Sequence, residues 1–162
     1  MEITSGTEVV FKRTIKKEAG DRPDYTGMTS KAVIATVGMG QEGYWASLYI
    51  TLGPYESTIF AVEKGFTQED EWVPEGKVFF LDEFSVTASD NVLIEIGVAA
   101  ESKDGFAYIV GWTYGYGQAS LYPRRAHAFG PNSRPLYIIK NYSDRTIEVN
   151  INVYGVMERL TI

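Results

Sequence analysis

The sequence predicts an all-β fold, an antiparallel two-sheet β-sandwich of jelly-roll type with about 8–10 strands. Three observations carry this. Apolar residues recur at every second position through most of the 162-residue chain. Turn signals interrupt these runs at regular intervals: "GDRPDYTG", "GMGQEG", "LGPYE", "ASDN", "SKDG", "FGPNSRP" and "NYSD". No segment sustains a 3.6-residue period over the dozen or so positions that a helix needs. An immunoglobulin-like sandwich, at about 100 residues, is short for this chain, which favours the jelly roll.

"TEVVFKRTIK" (7–16) sets Val9, Phe11 and Ile15 on one side, and "KAVIATV" (31–37) is a short β-branched run. "YWASLYITL" (44–52) alternates Ala46, Leu48, Ile50 and Leu52 with Trp45, Ser47, Tyr49 and Thr51. "STIFAVE" (57–63), "KVFFL" (77–81) and "SVTA" (85–88) are further strand candidates, while "TQEDEWV" (67–73) suits one helical turn on a loop. "NVLIEIGVAA" (91–100) directs Val92, Ile94, Ile96 and Val98 inward and Glu95 outward. "FAYIVGWTY" (106–114), apolar on both faces, suits a central or interface strand. "SKDG" before it is the clearest hairpin signal. "PLYIIKN" (135–141) follows. In "RTIEVNINVYGVM" (145–157), Ile147, Val149, Ile151 and Val153 oppose Thr146, Glu148, Asn150, Asn152 and Tyr154.

One domain over residues 1–162 accommodates all of this, since a chain of this size buries roughly 70% of its unfolded surface. The chain has no cysteine, which excludes disulfides, thiolate metal sites and cysteine nucleophiles. Its formal charge of −6 speaks against a broad phosphate-binding surface, so nucleic acid is not an expected partner. No apolar run reaches the roughly 18 residues of a membrane helix, and no h-region follows the basic N-terminal residues, so neither a membrane anchor nor a cleaved secretory signal is expected.

Candidate chemistry is sparse. His127 is the one histidine; in "RRAHAFG" it reads as a solvated loop residue, and one imidazole makes a histidine zinc site implausible. Glu95 and Glu148, on the polar faces of strands, are the one conceivable carboxylate pair for glycoside hydrolysis, against the plainer reading of solvated charges. The acidic stretches 67–71 and 82–83 lack a calcium-loop pattern. No catalytic, cofactor or metal residue is therefore assigned, and the chain is expected not to be an enzyme.

"GWTYGYGQ" (111–118) sets Gly111, Gly115 and Gly117 among large aromatics; glycine in a strand signals a bulge, a corner or close approach of another chain. Trp112, Tyr114 and Tyr116, with Trp45 and Tyr49 as a second stripe, form a core cap, a subunit interface or a platform for a sugar ring. "YPRRAHAFGPNSRP" (122–135) gathers Arg124, Arg125 and Arg134 on a proline-stiffened loop, a cluster suited to pairing with the acidic stretch 69–71 of a neighbouring copy, against the plainer reading of an ordinary connecting loop.

The second half, from "FFLDEFSVTASDNVLIEIGVAAESKDGFAYI" to "FGPNSRPLYIIKNYSDRTIEVNINVYGVME", resembles small β-sandwich proteins of virus and phage particles in its order of strands, its Pro/Gly turn and its closing Tyr-Gly strand. The resemblance covers about half the chain. It implies a capsid, decoration or spike subunit that self-associates or contacts other particle subunits, and it carries over no catalytic residue. The expected location is then a virion or extracellular particle surface, assembled in the host cytoplasm, and otherwise the cytoplasm. The expectation is a structural protein acting through protein–protein contacts. The alternative is a carbohydrate- or receptor-binding module using Trp45, Tyr49, Trp112, Tyr114 and Tyr116.

Overall fold

A computed structural model describes residues 2–10, 32–39, 43–61, 72–125 and 127–160, with the backbone alone for the first two segments and for Arg125. The described residues form ten strands: β1 (Glu2–Val10), β2 (Ala32–Met39), β3 (Gly43–Leu52), β4 (Ser57–Phe60), β5 (Lys77–Ala88), β6 (Leu93–Ser102), β7 (Ala107–Tyr116), β8 (Gln118–Leu121), β9 (Ser133–Asn141) and β10 (Ile147–Arg159). A single 3-10 turn covers Pro123–Arg125. The predicted helical turn at 67–73 falls mainly outside the described residues.

The strands make two antiparallel sheets, one of six strands in the order β1-β2-β3-β10-β5-β8 and one of four in the order β4-β9-β6-β7. Eight of them are a single rolled ribbon. Its tip is the β6–β7 hairpin, and from there β5 pairs β8, β4 pairs β9 and β3 pairs β10. Successive pairs fall alternately in the two sheets, which is the jelly-roll connectivity. The β1–β2 hairpin extends one edge beyond β3.

The hairpin tip lies where "SKDG" predicts it: the Ser102 amide donates to the Phe106 carbonyl at 2.8 Å, and Gly105 takes a φ of +97°. Two bulges set the remaining geometry. Between β5 and β10, Glu83 opposes Tyr154 but Leu81 opposes Gly155, leaving Asp82 as the extra residue. The alternation of β5 changes phase there, Phe79 and Leu81 facing inward before it and Phe84 and Val86 after it. The predicted strands 77–81 and 85–88 are therefore one strand with a bulge. Between β6 and β7 the extra residue is Val110, beside Gly111.

The core lies between the sheets. Phe84 of β5 meets Tyr137 of β9 with ring centroids 5.0 Å apart, and Phe60 of β4 packs on the same tyrosine at 5.5 Å. Gly155 of β10 leaves room for Phe79 of β5, because a Cβ there would come within 2.3 Å of the Phe79 ring.

The outer faces differ. Along β3 and β10 burial alternates strictly, Leu48 and Ile151 inside, Tyr49 and Asn150 outside. On β9 and β6 it does not. Tyr137 faces the core, so Leu136 and Ile138 turn away from it, yet both are fully buried, as are Ile59 on β4 and Ala99 on β6. These central strands are the ones apolar on both faces. Residues 106–114, predicted to be a central or interface strand, are not central: they form the outermost strand of the four-stranded sheet, because the ribbon turns back at its tip.

Candidate functional site

The outer face of the six-stranded sheet presents ordered rows of polar and aromatic side chains. Register places Tyr49 opposite Asn150, Asn150 opposite Thr87, and Thr87 opposite Gln118. The next row runs Ser47, Asn152, Ser85 and Ser120; the one after it runs Trp45, Tyr154 and Glu83. At roughly 4.8 Å between strands and 3.4 Å per residue, the patch from Tyr49 to Gln118 and from Tyr49 to Trp45 is about 14 Å on each side. Tyr49 and Tyr154 stand 48% and 47% exposed.

Part of this surface is already tied internally. Ser85 Oγ donates to Glu83 Oε1 at 2.8 Å and lies 3.0 Å from Ser120 Oγ. The Tyr49 phenol is held above its ordinary pKa, first by hydrogen bonding to Glu148. The rows starting at Tyr49 and Ser47 contain no lysine or arginine. Planar amides, hydroxyls, carboxylates and ring faces remain, a set suited to accept and donate hydrogen bonds beside a stacking surface.

The five aromatics singled out in the sequence do not share a face. Trp45 and Tyr49 lie on the outer side of the six-stranded sheet. Trp112, Tyr114 and Tyr116 lie on β7, in register with Gly97, Glu95 and Leu93 on the outer side of the other sheet. Their strands are on opposite layers of the sandwich, so one joint platform is ruled out by topology. Trp112 is partly buried against the core, while Tyr114 and Tyr116 are exposed. Tyr154 takes the place beside Trp45, in a cross-strand pair with it. The alternation of 145–157 puts Tyr154 on the polar side; only strand pairing shows which aromatic it joins. The three glycines near these rings do what strand glycines signal: Gly111 sits at the bulge, Gly117 takes a φ of +71° at the corner, and a Cβ on Gly115 would meet the Gln118 carbonyl oxygen of β8 at 1.8 Å.

The arginines also separate. Arg124 grips Asp82, the bulged residue of β5, through Nε to Oδ1 and Nη2 to Oδ2, and stacks 4.8 Å from the Phe80 ring centroid. Its guanidinium pKa is raised, chiefly by that hydrogen bonding. Arg134 is buried, bonds Glu101 Oε2 through Nε at 3.0 Å and lies over the Trp72 ring at 4.2 Å. Both are committed within the chain rather than gathered as a cluster. Arg125 ends the 3-10 turn, and the acidic stretch 69–71 lies outside the described residues.

His127 is half-buried rather than solvated. Its ring meets Phe129 and Tyr108 edge-on, with centroids 4.7 and 5.5 Å away, and burial lowers its pKa from the ordinary 6.5. Glu148 is exposed on the six-stranded sheet, while Glu95 is 1% exposed on the outer side of the four-stranded one, so the two carboxylates cannot act on one bond. Sequence reading missed the surroundings of Glu95. Tyr142 donates to its Oε1 at 2.8 Å, Tyr114 and Lys140 flank it on the neighbouring strands, and Tyr142 lies 47 positions away in sequence. Among the described residues, no group of three or more His, Asp or Glu side chains is arranged to hold a metal ion.

The fold thus defines a jelly-roll β-sandwich with one broad polar–aromatic face. No family model and no curated protein matches the chain. Among solved structures it is similar to the enzymatically active domain of tailspike protein 4 from bacteriophage CBA120, at 16% identity and a TM-score of 0.25, over 96% of this chain and 19% of that one. That is a loose likeness to a phage structural protein, and at that TM-score it carries nothing about mechanism. It does correct one expectation. The tailspike domain is named as enzymatically active, so the expectation that this chain is not an enzyme is withdrawn, and no activity is assigned in its place.

Proposed function

We propose that this chain is a recognition module that binds neutral carbohydrate on the outer face of its six-stranded sheet. The observation that carries this reading is the pairing of Trp45 with Tyr154 and of Tyr49 with Asn150, beside Asn152, Ser47 and Ser85, in rows free of cationic side chains. Sugar rings offer apolar C–H faces to aromatic planes and hydroxyls to amides and carboxylates. Anionic glycans would call for arginine or lysine, which these rows lack. A setting on a virus or phage particle rests on the sequence resemblance.

A glycan array tests the reading. Wild type should bind a subset of uncharged glycans, Tyr154→Ala and Tyr49→Ala should lose most of that signal, and Trp112→Ala, on the opposite sheet, should keep it. Binding to no glycan, or equal loss in all three variants, removes the proposal.

A second reading, assembly through protein contacts, is favoured by the 73% exposed Phe106 at the β6–β7 tip. Tyr122, the residue after β8, is exposed as well. Light scattering on wild type and Phe106→Ser distinguishes it: an oligomer that dissociates in the variant supports assembly, and a concentrated wild-type monomer rejects it.

A further inference from the structure

We infer that the outer face of the four-stranded sheet carries a second site, floored by Glu95 and walled by Tyr114 and Tyr142, for an organic cation of the ammonium or guanidinium type. Glu95 sits in β6 between Ile94 and Ile96, which face the core, so its carboxylate lies on the outer side, yet it is 1% exposed. Oε1 accepts the Tyr142 hydroxyl at 2.8 Å, and Oε2 is buried with no hydrogen-bond partner. A buried carboxylate oxygen without a donor or a counter-charge is costly, and an arriving cation that donates to it relieves that cost.

The walls suit the same ligand. The Tyr114 and Tyr142 ring centroids stand 6.3 Å apart with planes inclined by 47°, and both rings reach solvent. An aromatic ring beside a carboxylate attracts a cation through its negative face. One ring already does so. Lys140, directly opposite Glu95 on β9, places its ammonium 4.7 Å over the Tyr142 centroid, and among the described residues no ion pair joins it to Glu95. Lys140 is thus a built-in competitor at the rim. Tyr114, half-exposed and opposite Glu95 on β7, is the side chain that must yield for a ligand to reach Oε2.

The site is independent of the carbohydrate face, and the test separates the two. Methylguanidinium chloride is titrated into the protein at fixed ionic strength, followed by amide chemical shifts. Wild type should show saturable shifts confined to Glu95, Tyr114, Lys140 and Tyr142. Glu95→Gln should weaken binding at least tenfold, Tyr114→Ala several-fold, and Lys140→Met should tighten it several-fold. Tyr49→Ala, on the opposite sheet, should leave it unchanged. Non-saturable shifts in wild type, or an affinity indifferent to Glu95→Gln, overturn the inference. Should Glu95→Gln fail to fold by circular dichroism, unchanged affinity in both Tyr114→Ala and Lys140→Met overturns it equally.

Discussion

The two sheets solve the problem of their outer faces in opposite ways. On β3 from Trp45 to Thr51 and on β10 from Glu148 to Tyr154 every second residue is a hydroxyl, amide, acid or aromatic at least partly open to water. On β6 and β9 the central outward positions, Gly97, Ala99, Leu136 and Ile138, are buried, with Glu95 and the Glu101–Arg134 pair set among them and Leu93 and Lys140 partly exposed. A face open to water can hold a ligand without rearrangement. A buried one admits chemistry only where a polar group is left short of partners, and Glu95 is that place. Each contrast between the faces is open to a direct attack.

The largest effect is expected at the two arginine pairs. Arg134→Ala removes one half of the buried ion pair with Glu101 and should cost about 3–5 kcal/mol. Arg124→Ala removes an exposed pair with Asp82 at the other sheet and should cost about 0–1 kcal/mol. Urea unfolding of both variants makes the comparison, and equal losses would mean that the two pairs do not differ in burial as described.

Next comes the packing of the faces themselves. Ile138→Ala, on the outer side of the four-stranded sheet, should cost about 2–5 kcal/mol because it opens a cavity. Asn150→Ala, on the outer side of the six-stranded sheet, should change stability by no more than about 0.5 kcal/mol. An Ile138→Ala variant as stable as Asn150→Ala would show that the outer face of β9 is not covered in solution.

These contrasts also mark where the sequence is readable. Strict alternation assigns Leu48, Ile50, Val149 and Ile151 to the core correctly, since a strand with one wet face must alternate. It breaks at β5, where Asp82 as an extra residue shifts the phase and makes one strand look like two. It misses β8, whose four residues are held mainly by pairing with β5 and by the Gly115–Gln118 approach. Alternation tells which side of its own strand a residue occupies, but not which sheet the strand joins. Hence Trp45 and Trp112 look like one platform in the sequence and are not. In the same way Arg124, Arg125 and Arg134 look like a cluster because they are close in sequence, whereas Arg124 and Arg134 serve different sheets. Glu95 reads as a solvated charge because its cover comes from Tyr142, a residue brought near only when β9 pairs with β6.

The smallest expected effect is a dependence on pH from His127, in the connection between β8 and β9. Its amide donates to the Pro123 carbonyl at 3.0 Å, its ring is wedged between Tyr108 and Phe129, and Phe129 pairs with Phe79 of β5 through amide bonds of 2.8 and 2.9 Å. The ring therefore links this connection to the six-stranded sheet. Burial lowers its pKa below 6.5, which means that the folded chain favours the neutral ring. With the folded value depressed, the contribution to stability is complete above the unfolded pKa of about 6.5 and is lost as pH falls through the folded one. Carboxylates titrate lower and in both states, so the informative quantity is the difference between wild type and His127→Phe. Melting temperatures of the two should run parallel above pH 7 and diverge as pH falls from 6.5 to 5, with wild type falling faster. Curves that stay parallel throughout would show that the ring is solvated, as the sequence alone suggests, and would return this connection to the class of ordinary surface loops.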